Sequence, residues 1–462
     1  MFKLSILTYP VRRVGSCTNA AGVVLDTAWD MTNVMVHGVS IWPTNFIACA
    51  SCTNVACATR FDANGAPAGG DYSWDAGDGT IVSNLSTIAS NNSSVWIVFP
   101  NPGDTQIVGV DYGPVPCSAT STGLVAKSEL TNIKFNHDTS SSTDDAINIR
   151  QNYNTAYDIS NGEWVTGGAN LPVCYTMNRT VTIKSRFTVE PSSVTSAVIW
   201  AVSTNSGSSL GDVISTNVSF LGGVSSPEYV TFRVSGTTPN HIQMTTNDVW
   251  QWKMQNINGS GSAVCNMNAS GVHTVYTIMA EPVSPWDNTA GSQKNAWTAV
   301  LDYSCYWATN ATDAGNAVGK ITTGAYSGFG KSYDGGQTHT SGNTCQLSTM
   351  LKESKVDCRD MSATVQLFTE ILGVVGVQVL RVDGIFITKP ILAIGTTTWD
   401  PTTWNFHQFG WYNGSVYDAC LELKQSAPYV PVGDNRDGNY TTNLFDSGYW
   451  LPETPFSITN FE

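Results

Sequence analysis

The feature that most constrains the fold of this chain is a series of segments in which apolar and polar residues alternate. Alternation with a period of two places one set of side chains on each face of a β-strand. Gly, Ser and Asn, which favour turns, separate the segments. They lie at 179–189, 196–203, 229–236, 241–257 and 273–282. Five such segments in succession predict an antiparallel β-sandwich.

Two tryptophans in the fourth segment, Trp250 and Trp252, are two residues apart and therefore share one face of their strand. A pair of indole rings on one face can form a platform for carbohydrate stacking. It can equally fill the space between two sheets, which is the interpretation that we favour.

The charge balance excludes several classes of protein. Only 13% of the 462 residues are charged, and 22 basic residues against 36 acidic ones give a net charge of −14. A helical bundle rich in Glu and Lys is therefore excluded, and the negative field would repel nucleic acid and anionic membranes. No apolar run approaches the roughly 18 residues of a membrane helix, so an integral membrane protein is not expected.

The low charge and the many Ser, Thr, Asn and Gly residues suit a protein that works outside the cytoplasm, and we expect an extracellular or exported protein. The opening residues, MFKLSILTYPVRR, carry no recognisable secretory signal, because the arginines follow the short apolar patch instead of preceding it. Export by another route, or a longer precursor, would explain this.

The eleven cysteines cannot all pair with one another, because their number is odd. Cys174 and Cys265 are the natural disulfide pair of the sandwich if the compartment is oxidising. Near the amino terminus, Cys49 and Cys52 have the spacing of zinc ligands, with Cys57 following. No second pair of Cys or His completes a zinc site, so we favour disulfides or free thiols there.

The region before the sandwich, 1–122, contains short β-branched runs bounded by turn residues, which predict further strands at about 81–90, 94–100 and 105–113. Within it, YSWDAGDG at 72–79 resembles the YxWDFGDG signature of PKD-type, immunoglobulin-like domains. That resemblance implies a second β-sandwich. The carboxylates of Asp71, Asp75 and Asp78 could bind Ca²⁺, although turn formation is the simpler interpretation.

The character of the chain changes after 284–295, which we interpret as a linker. Residues 295–326 are compatible with helix, and CRDMSATVQLFTEILGVVG, which starts at 358, is the best amphipathic helix of the chain. Its apolar stripe consists of Met361, Val365, Phe368 and Leu372. Strands return in VQVLRVDGIFI, WNFHQFGW and VYDACLEL. We therefore predict three domains: β-sandwiches at 1–122 and 123–285, and an α+β domain at 286–462.

Cys358 lies at the start of that helix, directly after Asp357, which is a good N-cap residue. Backbone N–H groups and the positive end of the helix dipole stabilise a thiolate at such a position. We therefore expect the pKa of Cys358 to be lowered and the sulfur to be nucleophilic at neutral pH.

A base for this nucleophile is predicted by the β-hairpin at 404–423. Asn413-Gly414 is the preferred pair for a two-residue type I′ turn, so Tyr412 should face Ser415. Counting back, Phe409 faces Asp418 and His407 faces Cys420. His407 and Asp418 are then diagonal neighbours on one face, within reach of a hydrogen bond. Cys358, His407 and Asp418 would thus be nucleophile, base and orienting carboxylate.

These three residues, in this order, resemble the catalytic motif of transglutaminase-like, papain-type cysteine enzymes. In that family a cysteine opens a helix that ends in Leu-Gly, and strands carrying His and then Asp follow. Here the match is VDCRDMSATVQLFTEILG with His407 and Asp418, and it covers about 295–425. Two departures are the missing glycine two residues before the cysteine and the short spacing of eleven residues between His407 and Asp418. The resemblance implies a transglutaminase-like or papain-like fold for the third domain.

The function predicted from these observations is cysteine-dependent acyl transfer, as hydrolysis of a peptide or amide bond or as cross-linking, on a protein or peptide substrate and with no cofactor. An oxyanion hole is required, for which Gln346 is a candidate by residue type alone, and 385–404 would form part of the cleft wall. The β-sandwiches would position the enzyme on a surface or a partner. The alternatives are a surface or particle-associated structural or adhesion protein with an inactive domain, and an effector or toxin that a secretion machine delivers.

Overall fold

The computed structural model describes residues 101–111, 117–137, 145–205, 207–260, 264–423, 439–449 and 451–462, together with the backbone of strands between 38 and 98. Strands outnumber helices, and the fold is mostly β. The strands of the first region are β1 (Gly38–Trp42), β2 (Asn45–Cys49), β3 (Thr53–Phe61), β4 (Pro67–Ala68), β5 (Tyr72–Asp75), β6 (Thr80–Asn84), β7 (Asn92–Val98), β8 (Gly103–Asp111) and β9 (Cys117–Lys134).

The strands β6, β7 and β8 overlap the three runs that the sequence predicted as strands. β1, β3, β7 and β6 form one sheet, in which β4 pairs with β3. Of the YSWDAGDG segment, only the strand at its start, β5, is described. The turn and the interpretation of its aspartates as Ca²⁺ ligands therefore lie outside the described residues. The side chains of Cys49, Cys52 and Cys57 also lie outside them.

The strands of the second region are β10 (Ile149–Arg150), β11 (Trp164–Val165), β12 (Val173–Thr176), β13 (Thr180–Glu190), β14 (Ser196–Ser203), β15 (Val213–Leu221), β16 (Val224–Ser225), β17 (Val230–Thr237), β18 (Gln243–Asp248), β19 (Trp250–Gln255), β20 (Cys265–Ala269) and β21 (His273–Ile278). A 3-10 turn, Ile257–Gly259, follows β19. All five predicted segments are strands, but 241–257 is divided between β18 and β19, which join different sheets.

These strands form a β-sandwich. The layer that contains β14, β15, β19 and β20 packs on the layer that contains β9 and β13. Trp252 contacts Phe187 and Phe232 edge-on, with ring centroids 5.3 and 5.4 Å apart. Both Trp250 and Trp252 are buried, which confirms that they belong to the core and not to an exposed platform.

We predicted a purely antiparallel sandwich, and this prediction is wrong in one respect. β12 pairs with β21 in parallel, with Cys174 opposite Tyr276, and β18 completes a three-stranded sheet in the order β12-β21-β18. Val173, Tyr175 and Val275 belong to the core of the sandwich, whereas the alternate residues, Cys174 and Tyr276 among them, belong to a second core formed with the C-terminal helices. One sheet therefore lies between the two cores.

The helices and strands of the third region are β22 (Ala296–Trp297), α1 (Thr298–Trp307), α2 (Ala314–Gly328), β23 (Ser332–Tyr333), β24 (Thr340–Ser341), β25 (Thr344–Cys345), α3 (Leu347–Lys352), β26 (Lys355–Val356), α4 (Cys358–Glu370), β27 (Gln378–Thr388), β28 (Ile391–Ala393), β29 (Thr403–Tyr412), β30 (Ser415–Tyr417), β31 (Leu421–Leu423), α5 (Asn439–Leu444), β32 (Phe445–Gly448), β33 (Leu451–Pro452) and β34 (Asn460–Phe461). The predicted helical stretch 295–326 thus contains two helices. Its central sheet is antiparallel, in the order β30-β29-β27-β32.

The helix α4 differs from the prediction in its burial. Its predicted stripe is buried, but so are its polar residues Thr364, Gln366, Thr369 and Glu370. Every residue of the helix except Arg359 is buried, and its polar side chains bond to partners within the protein instead of facing solvent. Gln366, for example, exchanges hydrogen bonds with the backbone of Ile458.

The segment 284–295 is packed instead of forming a loose linker. Trp286 is buried, its ring centroid lies 4.2 Å from that of Phe461, and its Nε1 donates to the carbonyl of Leu367 at 2.9 Å. At the other predicted boundary, β9 runs through residue 122. The three domains therefore remain a prediction.

Candidate active site

The N-terminus of α4 fixes the position of Cys358. The Asp357 side chain accepts from the backbone N–H groups of Arg359 and Asp360 at 2.9 and 3.2 Å, and Asp360 accepts from the N–H of Asp357. This reciprocal pattern is a capping box, and it confirms Asp357 as the N-cap. Arg359 also forms an ion pair with Asp357 at 2.6 Å.

The cap changes the electrostatics that the sequence predicted for the thiol. Burial raises the pKa of Cys358 well above its usual value, and the negative charge of Asp357 raises it further. The first-turn N–H groups that would stabilise a thiolate are already bonded to the Asp357 carboxylate. The expectation of a lowered pKa is therefore wrong for this closed arrangement, although the nearby backbone of Gln408 opposes the rise.

The hairpin between β29 and β30 has the predicted turn. Asn413 and Gly414 both have positive φ, 48° and 81°, as a type I′ turn requires, and Tyr412 faces Ser415. The ladder ends at the pair Gly410 and Tyr417. The predicted pairing of His407 with Cys420 is therefore wrong. From Asp418 onward the chain no longer pairs with β29, and the next strand, β31, pairs with β28.

His407 and Asp418 nevertheless meet, as the diagonal relationship predicted. The Nε2 of His407 lies 2.8 Å from Oδ2 of Asp418, and both side chains are fully buried. A carboxylate oxygen only accepts, so Nε2 carries the proton and Nδ1 of the neutral ring is left as an acceptor. Among the described residues, this buried Nδ1 has no hydrogen-bond partner.

The Asp418 carboxylate is held by two further donors. The backbone N–H of Cys420 donates to Oδ1 at 2.8 Å, and the hydroxyl of Tyr440, from α5, donates to Oδ2 at 2.7 Å. Burial first, and then the negative charge of Asp418, raise the pKa of Tyr440. Tyr440 was missed in the sequence, since no pattern links it to a residue that precedes it by 22 positions.

Gln408 connects the helix to the strand that carries His407. Its Nε2 donates to Oγ of Ser362 at 2.8 Å, one turn along α4, and its backbone lies close enough to Cys358 to lower the pKa of that thiol. The side chains of Gln408 and His407 project to opposite faces of β29. Asp418 also raises the pKa of Cys358, so the sulfur lies in the same region as the His407–Asp418 pair, although no hydrogen bond among the described residues joins Cys358 to His407. Sequence reasoning missed Gln408, whose position beside His407 gives no signal of its own.

Two aromatic side chains cover this cluster. The ring centroid of Trp404 lies 5.0 Å from that of His407 and 5.4 Å from that of Tyr333, which is half-buried. Burial raises the pKa of Tyr333, and the nearby thiols of Cys420 and Cys358 raise it further. Trp404 therefore lies beside the site, where 385–404 was predicted to form a wall, and its buried Nε1 has no partner in the described part of the chain.

Gln346, the sequence candidate for the oxyanion hole, does not belong to the site. It is exposed and hydrogen-bonds to Glu462 at the end of the chain. The accessible surface of the three central residues is also small: Cys358 is 1% exposed, His407 is 0% exposed and Asp418 is 5% exposed. The described conformation is thus closed to a substrate.

Five of the cysteines that the structure describes are unpaired. Cys174, Cys305, Cys345, Cys358 and Cys420 are buried free thiols, whereas Cys265 is disulfide-bonded. The predicted pair of Cys174 with Cys265 is therefore wrong.

Metal and membrane features are limited to two observations. In the described part of the chain, no three side chains of His, Cys, Asp or Glu come together as a metal site would require. Among the helices that the structure describes, none combines the length and the apolar character needed to cross a membrane.

Comparison with known proteins gives only distant likenesses. No family model matches the chain, and no curated protein matches it. Among solved structures, domains 4 and 5 of the S-layer protein SbsC are 14% identical over 20% of this chain and 52% of that one, with a TM-score of 0.18. The Yersinia pseudotuberculosis adhesin InvE is 13% identical over 50% and 58%, with a TM-score of 0.17.

Three N-terminal domains of the outer capsid protein Hoc of bacteriophage RB49 are 10% identical over 54% of this chain and 71% of that one, with a TM-score of 0.26. The chain spans about half of the length of the SbsC and InvE structures. At these TM-scores the likenesses carry no argument about the function of this chain.

Proposed function

We propose that the C-terminal region is a transglutaminase-like cysteine enzyme domain in which Cys358, His407 and Asp418 catalyse acyl transfer. The observation that carries the proposal is the buried His407–Asp418 pair, in which Nδ1 of His407 has no partner among the described residues, on a strand that packs against the helix that begins at Cys358. An imidazole oriented in this way is the base that a cysteine nucleophile needs.

In the proposed reaction, Nδ1 of His407 accepts the thiol proton as the sulfur of Cys358 attacks an amide carbonyl. A C–S bond forms, and the tetrahedral intermediate collapses with cleavage of the C–N bond, while His407 returns the proton to the leaving amine. Water or a second amine then resolves the thioester, giving hydrolysis or cross-linking. Asp418 keeps the imidazole in its tautomer and stabilises its protonated form.

A substrate can reach the sulfur only if the cover moves. Of the two covering side chains, Trp404 is buried and Tyr333 is only half-buried, close to the exposed residues 335–338. Tyr333 is therefore the side chain that can move away with the smaller loss of contacts. Opening would also remove the burial that raises the pKa of Cys358. The proposed enzyme therefore alternates between a closed state and an open, reactive one.

A second candidate function is favoured by the closed state itself. Full burial and a raised thiol pKa are what an inactive, structural domain would show. In that case the protein would be a surface or particle-associated structural or adhesion protein. Both candidates place the protein outside the cytoplasm, and the disulfide at Cys265 supports an oxidising compartment for either one.

The test measures three products of the same chemistry on a denatured, glutamine-rich protein substrate: incorporation of a biotinylated primary amine, release of ammonia, and peptide cleavage. We expect at least one product from the wild type and none from Cys358→Ala. Cys345→Ala is the matched control, because Cys345 is an equally buried thiol with no place in the mechanism. Wild-type protein that forms no more product than Cys358→Ala would contradict the enzyme and favour the structural candidate.

A further inference from the structure

Two thiols that the proposed mechanism does not use belong to the second core. Cys174 lies on β12 and Cys305 lies on α1. Both are free thiols with 0% of their surface exposed, and both belong to the core that α1 and α4 share with the three-stranded sheet.

The ladder and one hydrogen bond fix their relative positions. Cys174 is the registered partner of Tyr276 on the parallel strand β21, so both side chains project from the same face of the sheet. The hydroxyl of Tyr276 donates to the carboxylate of Asp302 on α1. Cys305 is one turn beyond Asp302, on the same side of that helix.

Electrostatics agree with this placement. After burial, the group that most raises the pKa of Cys305 is Cys174, ahead of Asp302. Cys305 also contributes to the raised pKa of Tyr276, the ladder neighbour of Cys174. Cys305 is thus close to both members of the Cys174–Tyr276 pair.

We propose that Cys174 and Cys305 are oxidised to a disulfide that joins the three-stranded sheet to α1. The disulfide at Cys265 is independent support, because a chain that forms one disulfide matures where others can form. Such a bond would fasten the sandwich to the C-terminal region at the sheet that lies between their two cores.

The oxidant is a small-molecule disulfide, such as oxidised glutathione. The thiolate of one cysteine attacks a sulfur of glutathione disulfide, which forms a mixed disulfide and releases one glutathione thiolate. The second cysteine, after losing its proton, attacks the protein sulfur of that mixed disulfide and releases the other glutathione. Two protein S–H bonds are lost, one S–S bond forms, and glutathione disulfide is reduced to two thiols.

The experiment refolds the full chain in a glutathione redox buffer, blocks remaining thiols under denaturing conditions, and digests the protein without reduction. We expect mass spectrometry to find a peptide pair linked through Cys174 and Cys305, which reduction separates. Cys345 is the internal comparison: it is equally buried, and besides burial its pKa responds to Thr340 and Asp360. Cys345 should therefore be recovered as a blocked thiol.

The variant Cys174→Ser should leave Cys305 blocked, and the oxidised wild type should melt about 5 °C above oxidised Cys174→Ser, which keeps the disulfide at Cys265. If Cys174 and Cys305 are both recovered as blocked thiols, or if Cys174 is linked to another cysteine, the proposal is wrong. The measurement on wild-type protein needs no variant, so a folding defect in Cys174→Ser leaves the test intact. Neither outcome depends on the activity of Cys358.

Discussion

His407 and Tyr440 donate to the same oxygen, Oδ2 of Asp418, from 2.8 and 2.7 Å. One comes from the central sheet and the other from a short helix near the end of the chain. Shared in this way, the carboxylate is fixed in position, and the imidazole that it orients is fixed as well. The proposed base therefore depends on a residue that lies outside the three-residue motif.

Removing the Tyr440 hydroxyl tests this dependence. We expect Tyr440→Phe to lower the free energy of unfolding by roughly 1 to 2 kcal/mol, because it deletes a buried hydrogen bond to a charged group and leaves the ring in place. The measurement is urea unfolding followed by circular dichroism. Tyr306→Phe is the control, since Tyr306 is 69% exposed. Equal stabilities for the two variants would show that the hydroxyl contributes nothing.

Opening the aromatic cover should expose the thiol. In Tyr333→Ala we expect alkylation of Cys358 by iodoacetamide at pH 8 to be at least about tenfold faster than in the wild type, because access and the raised pKa both depend on burial. Site-resolved mass spectrometry gives the rate, and Cys345 in the same sample reports general loosening. Faster labelling at both cysteines would point to partial unfolding and would contradict a local cover.

Glu370, the last residue of α4, should make the stability of the protein depend on pH. Burial raises its pKa to about 9. In an unfolded chain the pKa of a glutamate is about 4.5. At pH values between about 4.5 and about 9, the folded state therefore binds a proton at Glu370 that the unfolded state does not bind. This group makes the protein less stable as the pH rises through that range.

The variant Glu370→Gln removes this titration and keeps the shape of the side chain. Its stability relative to the wild type should increase between pH 5 and pH 8.5 by on the order of 3 kcal/mol. Urea midpoints at the two pH values measure the change. Glu281→Gln, at an exposed position, should show no such trend, and a flat difference for Glu370→Gln would refute the assignment.

His273 in the sandwich should give a pH dependence of stability with the opposite sign. It is buried opposite Asp248, both ring nitrogens lack partners in the described structure, and burial lowers its pKa to about 4. Between about 6.5 and 4 the unfolded chain binds the proton and the folded chain does not, so stability is lost as pH falls.

His273→Phe should remove this acid sensitivity, since the ring packs against Phe135 and Trp250. We expect the difference between variant and wild type in urea midpoint to grow in favour of the variant from pH 7 to pH 4.5. His241→Phe, at a less buried position, is the control. A difference that stays constant over this range would mean that His273 does not titrate there.

The local features of this chain could be predicted because local chemistry determines them. The Asn413-Gly414 turn, the Asp357 cap and the alternating strands each follow from a few neighbouring residues. The hydrogen bond between His407 and Asp418 followed from counting back from that turn, even though the ladder itself ends earlier.

The long-range features could not be predicted because no local pattern records them. The parallel pairing of β12 with β21 joins residues about a hundred positions apart. Tyr440, on α5, donates to Asp418, which lies between β30 and β31. Trp286 packs against Phe461, the second-last residue of the sequence. The pKa of Cys358 depends on how completely the surrounding elements enclose it, which a helix start alone does not reveal.

The most direct test of the proposed site is the rate of Cys358 alkylation by iodoacetamide between pH 6.5 and pH 10, in the wild type and in His407→Ala, resolved by mass spectrometry. If His407 takes the thiol proton, the wild type should react at least about tenfold faster at pH 7, and the difference should narrow as the pH rises and hydroxide takes over the deprotonation. Circular dichroism checks that the variant is folded. Equal rates at every pH would contradict a Cys358–His407 pair and leave the C-terminal region as a structural domain.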